Sequence, residues 1–236
     1  MHRDHLYAHY VSTFKNRTHR ADEDASAWWD HKLLPLLDGL STDAAVLDLG
    51  CGSGVLLAYL RSRGFSHALG VDISAEQIAL AQQRGVQVVQ ANAFEHLSEH
   101  VGAYAAILAV DVLEHFTRDE VLRLVQVTFD SLQPGARLVV QTANGAGLFP
   151  GQVIFGDLTH QTIFTPESLS QLLRSVGFVN LSFYETGPIP IRLRGKVDVV
   201  LWSTIKAVAS ALRQIETGKR QSIWTENFIC RAFKPG

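Results

Sequence analysis

A glycine-rich segment directly after an apolar run is the feature that most constrains this chain. Residues 46–49 have the sequence Val-Leu-Asp-Leu, and the five residues after them are Gly-Cys-Gly-Ser-Gly. Because Gly50, Gly52 and Gly54 lack a Cβ and reach positive φ at little cost, the segment can turn sharply where a buried strand ends. Its peptide groups can then lie against a ligand, and a helix that starts near residue 54 would point its N-terminus at that ligand.

Short β-branched runs alternate with helical segments from residue 44 to about residue 138, a pattern typical of βαβ units and a parallel sheet. Strands are predicted near residues 45–49, 68–72, 86–90, 104–110, 136–142 and 178–184, with a last strand within 223–233. Helices are predicted near residues 54–63, 75–84, 118–130 and 166–175. Ser74, Thr117 and Thr165 are expected to cap the last three of these helices.

These elements predict a Rossmann-like α/β fold. We expect a seven-stranded, mostly parallel sheet with helices on both faces, in which the antiparallel last strand closes an edge. Residues 44–236 would form this domain, with a long substrate loop at 143–165 and a late helical insertion at 190–222. Residues 1–43 are expected to form an N-terminal helical cap, either a covering helix or a lid over the ligand. Its aromatic residues are Tyr7, Tyr10, Phe14, Trp28 and Trp29.

The spacing of the glycines distinguishes between nucleotide cofactors. A dinucleotide fingerprint requires a third glycine at position 55, where this chain has valine. The segment Leu47-Asp48-Leu49-Gly50-Cys51-Gly52-Ser53-Gly54 instead resembles the first motif of class I S-adenosylmethionine-dependent methyltransferases. That resemblance implies S-adenosyl-L-methionine as the cofactor. The implied binding residues in this segment are Asp48, Gly50, Cys51, Gly52 and Gly54.

Two further strand ends carry candidate cofactor contacts. Asp72 ends the second strand, where a carboxylate can accept hydrogen bonds from both ribose hydroxyls of an adenosine, and Ile73 would pack on the adenine. Asp72 could instead only stabilise the start of the next helix. After the third strand, Asn92 stands where the methyltransferases usually have an acid that binds the adenine amino group, and Ala93 would frame the ring. The Asn92 carbonyl oxygen can accept the same hydrogen bond, or it can form an Asx turn.

The exit of the fourth strand should face the reactive end of the cofactor, because ligands of open α/β sheets bind beyond the carboxyl ends of the strands. The segment Asp111-Val112-Leu113-Glu114-His115 resembles the corresponding motif of small-molecule methyltransferases, including those that act on quinones and sugars. Val110 and Asp111 are expected to border the transfer site. His115 is either a proton acceptor or a structural cap.

Methylation of a hydroxyl needs a base, and the long loop offers His160 with Asp157 nearby. We expect His160 to be that base and Asp157 to orient it, although both could merely tie the loop together. The loop resembles that of bacterial methyltransferases from polysaccharide and O-antigen gene clusters, which implies a sugar or glycan intermediate as acceptor. The alternative is a quinone or phenol in a closed apolar pocket lined by Phe149, Phe155 and Phe164.

Composition limits the classes of partner and compartment. The formal net charge of −2 disfavours nucleic acid as a substrate. Cys51 and Cys230 are the two cysteines and indicate neither a disulfide framework nor a metal site. With no apolar h-region near Met1 and no run of about 20 apolar residues, a cytoplasmic protein is expected.

The segment 197–215 has apolar residues spaced by three and four, and basic residues outnumber acidic ones around it. It could contact a membrane surface peripherally, or it could pack against the sheet or against a second subunit in a homodimer. Two other functions stay open at this point. They are a nicotinamide-dependent oxidoreductase and a non-catalytic module that binds S-adenosylmethionine.

Overall fold

The computed structural model describes residues 22–236. Tyr7, Tyr10 and Phe14 of the predicted cap therefore lie outside the described residues. The helices are α1 (Asp22–Lys32), α2 (Val55–Ser62), α3 (Ala75–Gln83), α4 (Ala93–Glu99), α5 (Arg118–Ser131), α6 (Pro150–Phe155), α7 (Pro166–Val176) and α8 (Leu193–Thr217). The strands are β1 (Val46–Leu49), β2 (Ala68–Asp72), β3 (Gln87–Gln90), β4 (Tyr104–Val110), β5 (Leu132–Ala143), β6 (Val179–Glu185) and β7 (Asn227–Phe233). Two 3₁₀-helices span Leu34–Leu37 and Leu113–His115.

All seven strands form one sheet in the order β3-β2-β1-β4-β5-β7-β6. The pairs among β1 to β5 are parallel, and β7 is antiparallel to both of its neighbours. The predicted mostly parallel sheet with an antiparallel last strand is therefore confirmed. β1 lies between β2 and β4, so the strand order reverses there, and the carboxyl ends of β1 and β4 flank the crevice in which such folds bind ligands.

The expectation that the last strand closes an edge of the sheet was wrong. β7 lies between β5 and β6, and β6 forms the edge. Four residues of β7 are buried, whereas β6 has only half-buried and exposed positions among the described residues. A strand with apolar side chains on both faces gains most by pairing on both sides, so β7 belongs inside the sheet.

Helices cover both faces of the sheet, as predicted. One core cluster joins the sheet to α5 and α7 through residues such as Leu124 and Leu169. The other joins it to the first 3₁₀-helix, α2 and α3 through residues such as Leu37, Leu60 and Ile78. The sheet is therefore buried on both sides, and its ligand crevice is held between two packed layers.

The predicted caps are confirmed, and two helices were missed. The side chains of Ser74, Thr117 and Thr165 each accept a hydrogen bond from the first turn of their helix. The missed helices are α4 and α6, which have 7 and 6 residues. Segments of this length contain too few turns to show a helical period in the sequence.

Candidate functional site

A cavity of about 1220 Å³ lies at the carboxyl ends of the parallel strands. The glycine loop forms its floor. The N–H groups of Gly50 and Cys51 both donate to the carbonyl of Val71, and these bonds attach the loop to β2. Gly50, Gly52 and Gly54 have φ values of 69°, 53° and 75°. Residues that carry a side chain rarely adopt this left-handed backbone region. Glycine is therefore the residue type suited to all three positions, as the sequence predicted.

The glycines differ in what they approach. Gly50 and Gly52 line the cavity, together with Asp48 and Cys51. Gly54 is not among the described residues that line it; a Cβ there would stand 2.8 Å from Val86 and 2.9 Å from Ala81. Gly54 thus allows α2 to pack closely against α3 and the segment after it, and it shapes the loop without facing the ligand.

Cys51 is packed into the floor of the cavity. A Cβ on Gly70 of β2 would lie 2.6 Å from its sulfur, so the glycine provides the space that the thiol fills. Burial raises the pKa of the Cys51 thiol far above its usual range, and the nearby carboxylates of Asp48 and Asp72 raise it further. Cys51 therefore stays a neutral thiol, which is not a nucleophile.

Asp72 lies in the cavity wall at the end of β2. Its Oδ2 accepts the N–H of Gly52 at 2.9 Å, and its Oδ1 accepts the N–H of Ser74 at 2.8 Å. A carboxylate has about four acceptor positions, so these two bonds fix its orientation and leave room for both ribose hydroxyls. Both predicted roles, helix start and ribose ligand, are thus compatible in one side chain.

The predicted adenine residues also lie along the cavity. Ile73 lines it and is 53% exposed, as expected of an apolar side chain that a flat ring would cover. Asn92 Oδ1 accepts the N–H of Phe94 at 2.9 Å and caps α4, which is the Asx arrangement considered from the sequence. Asn92 and Ala93 both line the cavity, so this cap holds the start of α4 at the cavity wall.

The exit of β4 is held in an unusual backbone conformation. Asp111 has a φ of 55°, and its N–H donates to the carbonyl of Gln141 on β5. The Gln141 side chain donates to both Asp111 carboxylate oxygens, at 3.0 and 3.2 Å. Val110 and Asp111 line the cavity as predicted. β5 therefore holds this strained exit through both the backbone and the side chain, at the residues predicted to border a transfer site.

Glu114 is a buried carboxyl group that the sequence did not assign a role. It is 2% exposed, and Thr142 Oγ1 donates to its Oε2 at 2.8 Å. Burial, followed by repulsion from Asp111, raises its pKa from 4.5 to about 8. The folded structure therefore favours the neutral carboxyl form of Glu114 over the carboxylate.

The long loop after β5 folds back onto the β4 exit. The N–H groups of Gln161 and Thr162 donate to the carbonyl of Glu114, and Thr162 Oγ1 donates to the carbonyl of Phe116. Asn144 begins the loop with a parallel bridge to Phe164. These contacts bring Asp157 and His160 to the cavity, where the sequence expected them.

A hydrogen-bonded chain connects the loop to His115. Thr159 Oγ1 donates to Asp157 Oδ1 at 2.6 Å and lies 2.9 Å from His115 Nδ1. A hydroxyl has a single proton, so an oxygen that donates to Asp157 accepts from the Nδ1–H of His115. Nε2 is then the unprotonated ring nitrogen of neutral His115.

His160 lies beside His115, with ring centroids 5.1 Å apart. Its Nδ1 is buried without a hydrogen-bond partner among the described residues. The sequence had paired Asp157 with His160, whereas Asp157 Oδ1 bonds to the backbone and hydroxyl of Thr159. One ligand atom each from His115, Asp157 and His160 lies within 4.8 Å of the others, a spacing that would also suit a divalent cation.

The closed apolar pocket expected for a quinone is not formed among the described residues. Phe164 is 4% exposed and belongs to the core, whereas Phe149 and Phe155 are 70% and 82% exposed. Phe149 precedes α6 and Phe155 ends it, whereas Gln152 and Val153 of the same helix line the cavity. The rings of Phe149 and Phe155 are therefore exposed and are not part of the described cavity lining.

Sequence reasoning missed several residues of the site. Thr142, Gln141 and Thr159 have no motif of their own, and the periodic apolar pattern of β5 gave Gln141 and Thr142 no polar role. Trp29 of α1 lines the cavity, and its ring centroid lies 5.0 Å from that of Tyr59, with the two rings tilted by 47°. Trp29 places the described part of the predicted cap beside the cavity; a lid role stays a prediction.

Comparisons with known proteins agree with this geometry. Residues 19–182 match a family model described as a methyltransferase domain. A ubiquinone biosynthesis O-methyltransferase of Aeromonas salmonicida is 28% identical over 66% of this chain and 77% of its own length. One of Cronobacter sakazakii is 31% identical over 51% of this chain, but the match spans only 57% of that relative. A crystal structure of an S-adenosylmethionine-dependent methyltransferase from Archaeoglobus fulgidus superposes on 95% of the chain and on 100% of its own, with a TM-score of 0.73 and 20% identity.

Proposed function

Because this chain belongs to the methyltransferase-domain family and is an S-adenosylmethionine-dependent methyltransferase, we propose that it methylates a phenolic hydroxyl with His115 as the general base. The observation that carries the proposal is the hydrogen-bonded chain from Asp157 through Thr159 to His115. This series of hydrogen bonds fixes the tautomer and the ring orientation of the His115 imidazole, which lines the cavity.

The cavity residues fit the cofactor. Asp72 presents a carboxylate with acceptor capacity left for a ribose, and Ile73 offers an apolar surface for an adenine. The β4 exit at Val110 and Asp111 would then border the sulfonium. S-adenosylmethionine, when bound, supplies the methyl group from its sulfonium and leaves as neutral S-adenosylhomocysteine.

The acceptor hydroxyl must lose a proton in this reaction, and His115 is the group that accepts it. As the acceptor oxygen forms its bond to the methyl carbon, its proton moves to Nε2 of His115, and the ring becomes an imidazolium. The Nδ1–H of the imidazolium still donates to Thr159 Oγ1, and the Thr159 hydroxyl still donates to the Asp157 carboxylate. A negative charge near the imidazolium stabilises it at the moment it forms.

A phenolic acceptor with an apolar substituent is supported by two observations. The relatives are named as ubiquinone biosynthesis O-methyltransferases. Phe149, Phe155 and Leu158 are exposed beside residues that line the cavity. A hydroxylated ring could occupy the cavity while its apolar substituent lies on these side chains.

A sugar or glycan hydroxyl, which the sequence favoured, is a second candidate. The cavity is also lined by Gln152, Asp157 and Asn227, whose side chains can bond to several hydroxyls at once. The two candidates differ in the acidity of the reacting hydroxyl. A sugar hydroxyl is far less acidic than a phenol, so it depends more strongly on the base.

Methyl transfer from radiolabelled S-adenosylmethionine tests the proposal with three sets of acceptors. They are a catechol, the same catechol with a long alkyl chain, and a panel of nucleotide sugars. The alkylated catechol is expected to give the highest kcat/KM. Turnover of a nucleotide sugar with neither catechol methylated would overturn the phenolic assignment.

The base is tested by comparing His115→Gln with His160→Gln. Removal of a general base costs about 100-fold to 10,000-fold in rate, so His115→Gln should lose at least that much, and His160→Gln should lose less. The opposite order would make His160 the base. The assays are repeated with EDTA, because a loss of activity on chelation would assign the three side chains to a cation.

A further inference from the structure

The helix α8 carries a wide apolar face that is exposed along its whole length. Eight of its large apolar side chains are 48% to 84% exposed. They are Leu193, Val197, Val200, Leu201, Ile205, Val208, Leu212 and Ile215. At 100° per residue they fall within about 140° of the helix circumference, and Thr204 and Ala211 complete the same face. In the described structure α8 has 25 residues and no buried side chain.

The opposite side of α8 attaches the helix to the body of the protein. Trp202 and Lys206 both bond to the carboxylate of Glu185 at the end of β6. One turn further on, Ser210 accepts the indole N–H of Trp224 and donates to the carbonyl of Gln221. These polar contacts hold the other side of α8 against the body of the protein, so the apolar face points away from it.

Positive charge accompanies this face. Between residues 192 and 220 there are seven basic residues and two acidic ones, in a chain with a net charge of −2. The basic residues are Arg192, Arg194, Lys196, Lys206, Arg213, Lys219 and Arg220. Lys206 is paired with Glu185 on the opposite side of the helix, so the other six carry the charge available to a partner. Most of them stand at the two ends of α8, where they would reach the head-group level of a membrane if the helix lay flat on it.

We infer that α8 is a peripheral membrane-binding helix that lies on anionic phospholipid with its apolar face in the acyl boundary. Broad apolar faces flanked by basic residues are typical of interfacial helices. None of the helices within residues 22–236 combines the length and the apolar character needed to cross a bilayer. An orientation in the plane of the membrane is therefore the one that buries this face. The inference does not depend on the acceptor proposed above.

A second copy of the chain would cover the face less well. Two α8 helices packed together would bring the same excess of positive charge against itself, whereas anionic lipid neutralises it. The face is also wider than the narrow seam that a pair of helices buries. Charge and width thus both favour a lipid surface.

Vesicle sedimentation of the full chain tests the inference. The wild-type protein should bind vesicles that contain phosphatidylglycerol and bind phosphatidylcholine vesicles more weakly, and added salt should reduce the binding. The double variant Val200→Glu/Val208→Glu should lower the partition coefficient at least about tenfold, because it places two carboxylates in the buried face.

Matched controls separate this effect from a general loss of exposed apolar surface. Val101→Glu/Leu122→Glu changes two exposed apolar residues outside α8 and should bind vesicles like the wild type. In each variant, an unchanged rise of Tm with S-adenosylhomocysteine verifies the fold. Equal binding by the α8 variant and the wild type would overturn the inference. So would a wild-type dimer that the α8 variant converts to a monomer while neither protein binds vesicles.

Discussion

The hydroxyl of Thr159 lies 2.9 Å from Nδ1 of His115, although the two residues are 44 positions apart. Thr159 belongs to the loop after β5, and His115 ends the 3₁₀-helix after β4. The contact therefore joins the two segments that border the proposed transfer site. It also orders the imidazole, because the same hydroxyl donates to Asp157 Oδ1 at 2.6 Å.

Thr159→Val is expected to lower kcat about 10-fold to 100-fold. Valine keeps the shape of the buried threonine but removes the hydroxyl that orients His115. The KM for S-adenosylmethionine should stay unchanged, since Thr159 is not among the described residues that line the cavity. Steady-state kinetics across a pH series, read with the true acceptor, gives both quantities.

Thr159→Ser is the matched control for that variant. It keeps the hydroxyl and should restore most of the wild-type kcat and the wild-type pH profile. If serine were as slow as valine, the threonine methyl group and not the hydrogen bond would be responsible.

Asp72→Asn should weaken the binding of S-adenosylhomocysteine about 10-fold to 100-fold, the usual effect of losing a charged hydrogen bond. Asparagine keeps an oxygen that can accept one backbone N–H but lacks the second acceptor and the charge. Isothermal titration calorimetry measures the change. Asp43→Asn, a substitution in the turn before β1, should bind as the wild type does; equal affinity of all three proteins would remove Asp72 from the ribose site.

Gly50→Ala should lower the free energy of unfolding by about 1–3 kcal/mol, because alanine is strained at a φ of 69°. The added Cβ would also stand 2.6 Å from Cγ2 of Val112, so the loop and the β4 exit would move apart. Urea denaturation reports the loss of stability. Gly102→Ala, at a φ of 63° with nothing within 4 Å of its Cβ, separates strain from the contact with Val112.

Stability should fall as the pH rises from 4.5 to about 8, because Glu114 holds its proton in the folded protein over that range and releases it in the unfolded chain. The unfolded state then binds fewer protons than the native state, so the slope of the unfolding free energy with pH is negative. The slope is compared by urea denaturation with that of Glu114→Gln, which stays neutral and can still accept the hydrogen bond of Thr142. The variant should have a flatter profile; parallel profiles would show that another group governs this range.

Much of the fold was predictable because it depends on local signals. The strands β1, β2 and β4 lie where β-branched runs predicted them, and Ser74, Thr117 and Thr165 cap their helices. The place of β7 in the sheet was not predictable in this way. Strand order depends on which edges leave apolar side chains uncovered, and that is a property of the assembled sheet.

The sequence by itself predicted the cofactor site, because each of its parts is close to a strand end. Gly50 and Gly52 shape the loop after β1, and Asp72 ends the neighbouring strand, so parallel pairing alone brings them together. The sequence singled out His115 and Asp157, but only the tertiary structure joined them through Thr159 into the hydrogen-bonded chain proposed for proton transfer. His115, Asp157 and Thr159 meet because the loop after β5 folds onto the β4 exit through backbone hydrogen bonds. Every residue type except proline can donate such bonds, so they leave little mark on the sequence.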